Sequence, residues 1–136
     1  DLHLSIRRQR QMCIRDSVYG MAEKEEDILY NSQFFIDDTG VLLGTYRKVH
    51  LFDSEKNYFT PGDQFKVFNT KIGRIGLFIC YDAFFPEAAR SLAIQGVDLL
   101  VNSTNWEKPY DYDIAKQMKH DYYTMLTERR PDVYIA

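Results

Sequence analysis

Two continuous apolar runs constrain the fold of this chain more than any other feature. Residues 74–80 read RIGLFIC and residues 97–102 read VDLLVN, and a segment of helical character, 85–96, lies between them. Unbroken apolar runs of this length are typical of strands buried on both faces, as in parallel sheets. Pro86 suits the first turn of the intervening helix and Gly96 suits its C-terminal end. The pattern predicts a β-α-β unit.

The flanking segments extend this unit to an α/β protein. The segments ILYNSQFFID and VLLGTYR are rich in branched and aromatic residues, and the turn signal Asp38-Thr39-Gly40 lies between them, so they predict a β-hairpin. A polar loop, a short strand, a second helix and a final strand complete the pattern. In order, the predicted elements are strands 28–37 and 41–47, loop 50–63, strands 65–69 and 74–80, helix 85–96, strand 97–102, helix 111–130 and strand 133–136.

Composition excludes several functional classes. The chain has 136 residues, 45% of them hydrophobic, and a net charge of −3, which indicates a folded domain and favours neither nucleic acid nor an anionic membrane as a partner. No apolar run reaches the roughly 20 residues of a membrane helix. The two cysteines form no CxxC pair and no metal-ligand cluster, so we expect no metal, no cofactor and a cytoplasmic location.

The first 17 residues differ from the rest. They contain four arginines against two aspartates, whereas residues 18–136 carry 13 basic and 18 acidic side chains. A basic arm, a solvated tail and a foreign segment are the three interpretations. The stretch is similar to translated sequencing-adaptor peptides, so we expect residues 1–17, with Cys13, to be foreign or unstructured and residues 18–136 to form the domain.

Cys80 and Lys48 are candidates for chemistry, although each has a simpler explanation. A lone cysteine at a strand end is most often a small buried hydrophobe, and a lysine at a strand end is most often solvated. Cys80, however, lies where a buried strand meets a helix, which is the edge at which α/β folds place their sites. A helix N-terminus also favours a thiolate.

Four sequence blocks support the functional interpretation together. They read GTYRKVHLF (44–52), YFTPGD (58–63), IGLFICYDAFFPEAAR (75–90) and GVDLLVNSTNW (96–106). In order and spacing they resemble the nitrilase superfamily of carbon–nitrogen hydrolases, and the similarity extends over 18–136. The resemblance implies part of a four-layer α-β-β-α sandwich and hydrolysis of a small amide, carbamoyl compound or nitrile.

The resemblance also implies roles for individual residues. Family members use a Glu–Lys–Cys triad, and by position Cys80 is the nucleophile, Lys48 its electrophilic partner and Glu55 a second glutamate that positions lysine or substrate. The backbone N–H of Tyr81 is the expected second donor to the oxyanion. Asn105 and Trp106 are weaker candidates for the substrate pocket.

The general base has no counterpart. The upstream glutamates Glu23, Glu25 and Glu26 lie in a segment interpreted as a polar turn, so none is assigned as base. We therefore expect a chain truncated at both ends and inactive as it stands, from a full-length homo-oligomer. The alternatives are a non-catalytic binding or scaffold protein of the same fold and, on Cys80 alone, a redox-sensing thiol protein.

Overall fold

A computed structural model describes residues 16–105 and 134–135, and in it three antiparallel strands form the first sheet. The strands lie in the order β1-β2-β3, and β2 and β3 form the predicted hairpin. Phe35 and Ile36 mark an irregularity in the β2–β3 register. The bounds are β1 Ser17–Glu25, β2 Ile28–Ile36 and β3 Leu42–Arg47.

Strand β1 corrects the interpretation of the upstream segment as a polar turn. Glu23 and Glu25 lie within β1, and only residues 26 and 27 turn the chain into β2. The strand pairs with β2 over its whole length, from Ser17 opposite Ile36 to Glu25 opposite Ile28. Ser17, expected outside the domain, is thus the first residue of β1, and the Asp16 carboxylate accepts a hydrogen bond from the Asp38 N–H at 3.0 Å.

The second sheet contains the predicted β-α-β unit. Its four strands lie in the order β4-β5-β6-β7, with β4 antiparallel to β5 and the remaining neighbours parallel. Pro86 is at the start of the helix, and Gly96 follows its end at φ +81°, as predicted. The bounds are β4 Val67–Thr70, β5 Gly73–Ile79, α1 Pro86–Ile94, β6 Leu99–Ser103 and β7 Tyr134–Ile135.

The two sheets pack face to face, and α1 packs against the second sheet. Phe68 of β4 makes an edge-to-face contact with Phe35 of β2. On the other face of β5, a Cβ on Gly76 would touch Leu100 and Leu92, so helix and sheet approach closely there. The arrangement is part of an α-β-β-α sandwich, and its core combines residues of both sheets and α1: Phe35, Tyr46, Ile75, Leu77, Phe78, Ile79, Ala83, Ala89, Leu92, Val97 and Leu100.

The predicted loop 50–63 contains a short helix. Residues 50–63 connect β3 to the segment before β4, and they include a 3₁₀ helix, Asp53–Asn57. The predicted helix 111–130 and Trp106 lie outside the described residues. Among the helices that are described, none has the length and apolar character needed to span a membrane.

Candidate active site

Lys48 is the most unusual side chain of the sheet interface because it is a lysine with only 2% of its surface exposed. Its Nζ lies 2.7 Å from the Glu55 Oε2, in a direct ion pair. The interpretation of Lys48 as a solvated strand tip is therefore wrong. A buried ammonium is costly unless it is paired, so the pairing with Glu55 explains how the fold tolerates it.

Glu55 is itself fixed by three donors. Besides Lys48, the Asn31 side-chain amide donates to Oε1 at 2.9 Å and the Phe52 N–H donates to Oε2 at 2.7 Å. Burial alone would raise the pKa of Glu55, but the bonds from Lys48, Phe52 and Asn31 outweigh it and hold the pKa below its usual value. Glu55 therefore remains a carboxylate that orients the lysine.

The backbone of Lys48 is held from both sides. Its N–H donates to the Asn31 carbonyl at 2.8 Å, and its carbonyl accepts from the Gly62 N–H at 2.8 Å. The loop thus returns to β3 five residues after the 3₁₀ helix ends and closes over the lysine. Gly62 is required there, because a Cβ would lie 2.2 Å from the Arg47 carbonyl oxygen.

Cys80 follows β5 directly, in a strained turn. It has φ +43°, a left-handed conformation that is uncommon for a residue with a side chain, and it begins the 3₁₀ helix Cys80–Phe84. Its N–H donates to the Asn102 Oδ1 of β6 at 2.8 Å, and its thiol is free and half-buried. Backbone strain of this kind persists only where the surroundings enforce it, and it clusters at active sites.

Asp82 connects the segment around Lys48 to the segment around Cys80. Its carboxylate is fully buried and accepts from the His50 N–H at 2.8 Å and from the Ile79 N–H at 3.0 Å. The Tyr46 hydroxyl donates to it at 2.7 Å, and burial together with this carboxylate raises the pKa of Tyr46. His50 and Asp82, which follow Lys48 and Cys80 by two residues each, are therefore in contact. Lys48 and Cys80 consequently lie at the same end of the two sheets.

The remaining predicted site residues are less closely involved. Tyr81 lies in the first turn of the 3₁₀ helix, where backbone N–H groups have no partner within the helix. Its ring contacts Phe52 edge-on at a centroid distance of 5.0 Å. Asn105 is exposed beyond the end of β6.

The upstream glutamates do not join this group. Glu23 binds Arg47 at 2.7 Å and also accepts from the Ser32 hydroxyl at 2.6 Å. Glu25 lies 3.1 Å from the same guanidinium. The hydrogen bond from Arg47 is the main reason that the pKa of Glu23 is lowered. Both carboxylates therefore neutralise Arg47, whereas Lys48 is paired with Glu55.

Three residues that contact the candidate site were not predicted from the sequence. Asn31 and Asn102 are ordinary strand residues by pattern, and nothing in their spacing indicates that they bind Glu55 and Cys80. Asp82 had a weak signal, since a carboxylate just before a helix suggests a cap. It does not cap α1, because its side chain turns inward to His50 and Ile79 instead.

Comparison with known proteins gives a family and the same fold. The family model described as carbon–nitrogen hydrolase matches residues 10–125. A probable nitrilase of Schizosaccharomyces pombe is 49% identical over 107 residues, which are 75% of this chain and 39% of that protein. An N-carbamoylputrescine amidase of Solanum lycopersicum is 49% identical over 60% of this chain and 29% of its own length. The chain thus spans well under half of these curated relatives.

Solved structures extend the likeness to the backbone. An amidase of Nesterenkonia from the nitrilase superfamily superposes with a TM-score of 0.79 at 23% identity, over 91% of this chain and 47% of its own, which shows the shared fold. A variant of that amidase with acrylamide added to its active-site cysteine aligns at 27% identity and a TM-score of 0.69, over 79% of this chain and 42% of its own. With the family model matching most of its length, the chain belongs to the carbon–nitrogen hydrolases.

Proposed function

We propose that this chain carries the nucleophile, lysine and second glutamate of an amidase-type site that hydrolyses a small amide or carbamoyl compound. The observation that carries the proposal is the buried Lys48–Glu55 pair, which Asp82 links to the strained turn at Cys80. A lysine buried for packing alone would cost stability, whereas one aimed at a developing oxyanion has a chemical use.

The roles follow from charge and bond making. The Cys80 thiolate attacks the substrate carbonyl carbon and forms a tetrahedral intermediate. Lys48 Nζ and the Tyr81 N–H stabilise its oxyanion. The C–N bond then breaks, the leaving nitrogen takes up the proton that the Cys80 thiol lost and departs as ammonia or an amine, and a thioester to Cys80 remains. Water hydrolyses the thioester to a carboxylic acid and regenerates the thiol.

The second half of this cycle needs a general base, and three of the five described glutamates are paired with a cation. Glu55 is bound to Lys48, and Glu23 and Glu25 are bound to Arg47. Glu26 is exposed in the turn after β1, and Glu87 is exposed on α1. We propose that the chain as it stands acylates but does not turn over, since a general base contributes about 10²–10⁴-fold.

The substrate class is a proposal drawn from similarity. The named relatives are a probable nitrilase, an N-carbamoylputrescine amidase and an amidase, and because two of the three are amidases by name we propose amide-type substrates before nitriles. Asn105 remains a candidate for the pocket, as does Trp106. The cytoplasmic location and the homo-oligomeric full-length form stay predictions.

An activated ester separates acylation from turnover. We expect p-nitrophenyl acetate to release one p-nitrophenolate per chain in a burst, with an acetyl group retained on Cys80 by peptide mass mapping, and small amides to release no ammonia. A Cys13→Ser background restricts the reaction to one thiol, and Cys80→Ala serves as the control. Absence of a burst would remove Cys80 as nucleophile. Steady multiple turnovers would contradict the proposal that the chain acylates without turning over.

A further inference from the structure

Asp82 has more hydrogen-bonding partners than packing requires. Four donors converge on its fully buried carboxylate: Oδ1 takes the His50 N–H at 2.8 Å and lies 3.0 Å from its Nδ1, while Oδ2 takes the Tyr46 hydroxyl at 2.7 Å and the Ile79 N–H at 3.0 Å. Each oxygen therefore contacts the segment around Lys48, and Oδ2 also contacts the residue before Cys80.

The two segments belong to different sheets, so no β-ladder hydrogen bonds join them. Tyr46 and His50 lie on either side of Lys48, at the end of β3, and Ile79 ends β5. The His50 ring stacks on Phe85 at a centroid distance of 3.8 Å, in the turn that follows Cys80. The carboxylate and this stack join the segments at the end of the sheet pair where the two candidate residues lie.

We propose that Asp82 is a positioning residue that holds Lys48 in register with Cys80 for attack on an amide. This inference rests on the proposed function. Asp82 does not touch the reacting atoms; it acts through the two backbone segments. Misplacing a reacting group by about 1 Å can cost on the order of 100-fold in rate, so loss of this link should slow chemistry before it unfolds the chain.

Asparagine is the informative replacement, because it keeps the shape but cannot satisfy the donors. An amide NH₂ at the Oδ2 position faces the Ile79 N–H, and at the Oδ1 position it faces the His50 N–H. The Tyr46 hydroxyl and the His50 ring can become acceptors, but a backbone N–H cannot. In either orientation one backbone donor opposes another donor, and one of the two segments loosens.

The test uses two thiol reagents on the Cys13→Ser chain. Acrylamide develops negative charge on its amide oxygen as sulfur adds to it. Methyl methanethiosulfonate has no amide group: the thiolate attacks its sulfur and expels methanesulfinate, so its rate reports the accessibility and reactivity of the thiol. We expect Asp82→Asn to slow acrylamide addition to Cys80 by about tenfold and to leave the methanethiosulfonate rate within about twofold. Asp98→Asn is the matched control, since Asp98 accepts the Arg74 N–H at 2.8 Å at the opposite end of β5. It should change neither rate.

The outcomes are distinguishable. An Asp82→Asn chain that is folded and adds acrylamide at the parent rate would reduce Asp82 to a structural role and overturn the proposal. If Asp82→Asn does not fold, Tyr46→Phe removes one of the four donors and keeps the carboxylate, and an unchanged acrylamide rate in it would also overturn the proposal. If acrylamide adds to Cys80 of the parent chain no faster in the folded state than in urea, the proposed function itself is wrong, irrespective of the result for Asp82→Asn.

Discussion

Lys48→Ala is expected to destabilise the chain by about 2–4 kcal/mol, because it empties a fully buried site and leaves Glu55 without its cation. Lys48 is 2% exposed and Glu55 about a quarter exposed, so the glutamate regains some water and the loss falls short of the largest values for buried pairs. Lys48→Met keeps the length of the side chain and should cost less. Urea unfolding of the parent chain and both variants at pH 7 measures the differences.

The same ion pair predicts a dependence on pH. The pKa of Glu55 is lowered in the folded chain from its ordinary value of 4.5, so its contribution is fully present above that value and is lost as the pH falls through the lowered folded pKa. The stability difference between the parent chain and Lys48→Ala should therefore narrow between pH 5 and the acid limit of folding. A difference that stays constant or widens in acid would show that the pair does not stabilise the fold.

Gly62→Ala adds only a methyl group, yet we expect it to destabilise the fold strongly. The new Cβ would lie 2.2 Å from the Arg47 carbonyl oxygen and 2.9 Å from its carbonyl carbon, and backbone atoms cannot move aside as a flexible side chain can. The loop must lift, and the Gly62 N–H to Lys48 carbonyl bond of 2.8 Å breaks. We expect a loss of about 3 kcal/mol, at the upper end for overpacking.

Gly20→Ala is the matched control for this substitution. Gly20 lies in β1, where a Cβ would meet its nearest neighbour, the Ser32 carbonyl oxygen, at an ordinary 3.7 Å. The melting temperature of the Gly20→Ala chain should stay within about 2 °C of the parent value, since the site has room for the added methyl group. Equal melting temperatures for Gly62→Ala and Gly20→Ala would mean that the loop does not close over Lys48 as described.

The elements with strong local signals were predictable from the sequence. The strand at 74–80, the helix with Pro86 and Gly96, and the hairpin follow from apolar runs and turn residues, and each is present in the structure. Strand β1 was missed because its second half is highly charged and resembles a turn. Its two glutamates, Glu23 and Glu25, are paired with Arg47 of β3. Pairing between strands depends on residues that are distant in sequence, so the local sequence pattern of one segment does not predict it.

The residue types of the candidate site were predicted from the sequence, but their geometry was not. Cys80, Lys48 and Glu55 come from the resemblance of whole sequence blocks, and the structure brings Lys48 and Glu55 into direct contact. The burial of Lys48 could not be foreseen, because it depends on a loop carboxylate and on Asn31 in a neighbouring strand. The positive φ of Cys80 likewise results from Asn102 and Asp82, which hold the turn from two sides.

The central claim is that Cys80 and Lys48 act together on an amide group, and the rate of acrylamide addition to Cys80 tests it most directly. In the Cys13→Ser chain we compare the parent with Lys48→Met, which retains side-chain bulk but removes the charge. We expect Lys48→Met to slow acrylamide addition by about 100-fold or more, on the scale of losing an oxyanion donor, and to leave the methyl methanethiosulfonate rate nearly unchanged. Equal acrylamide rates in the two folded chains would contradict it.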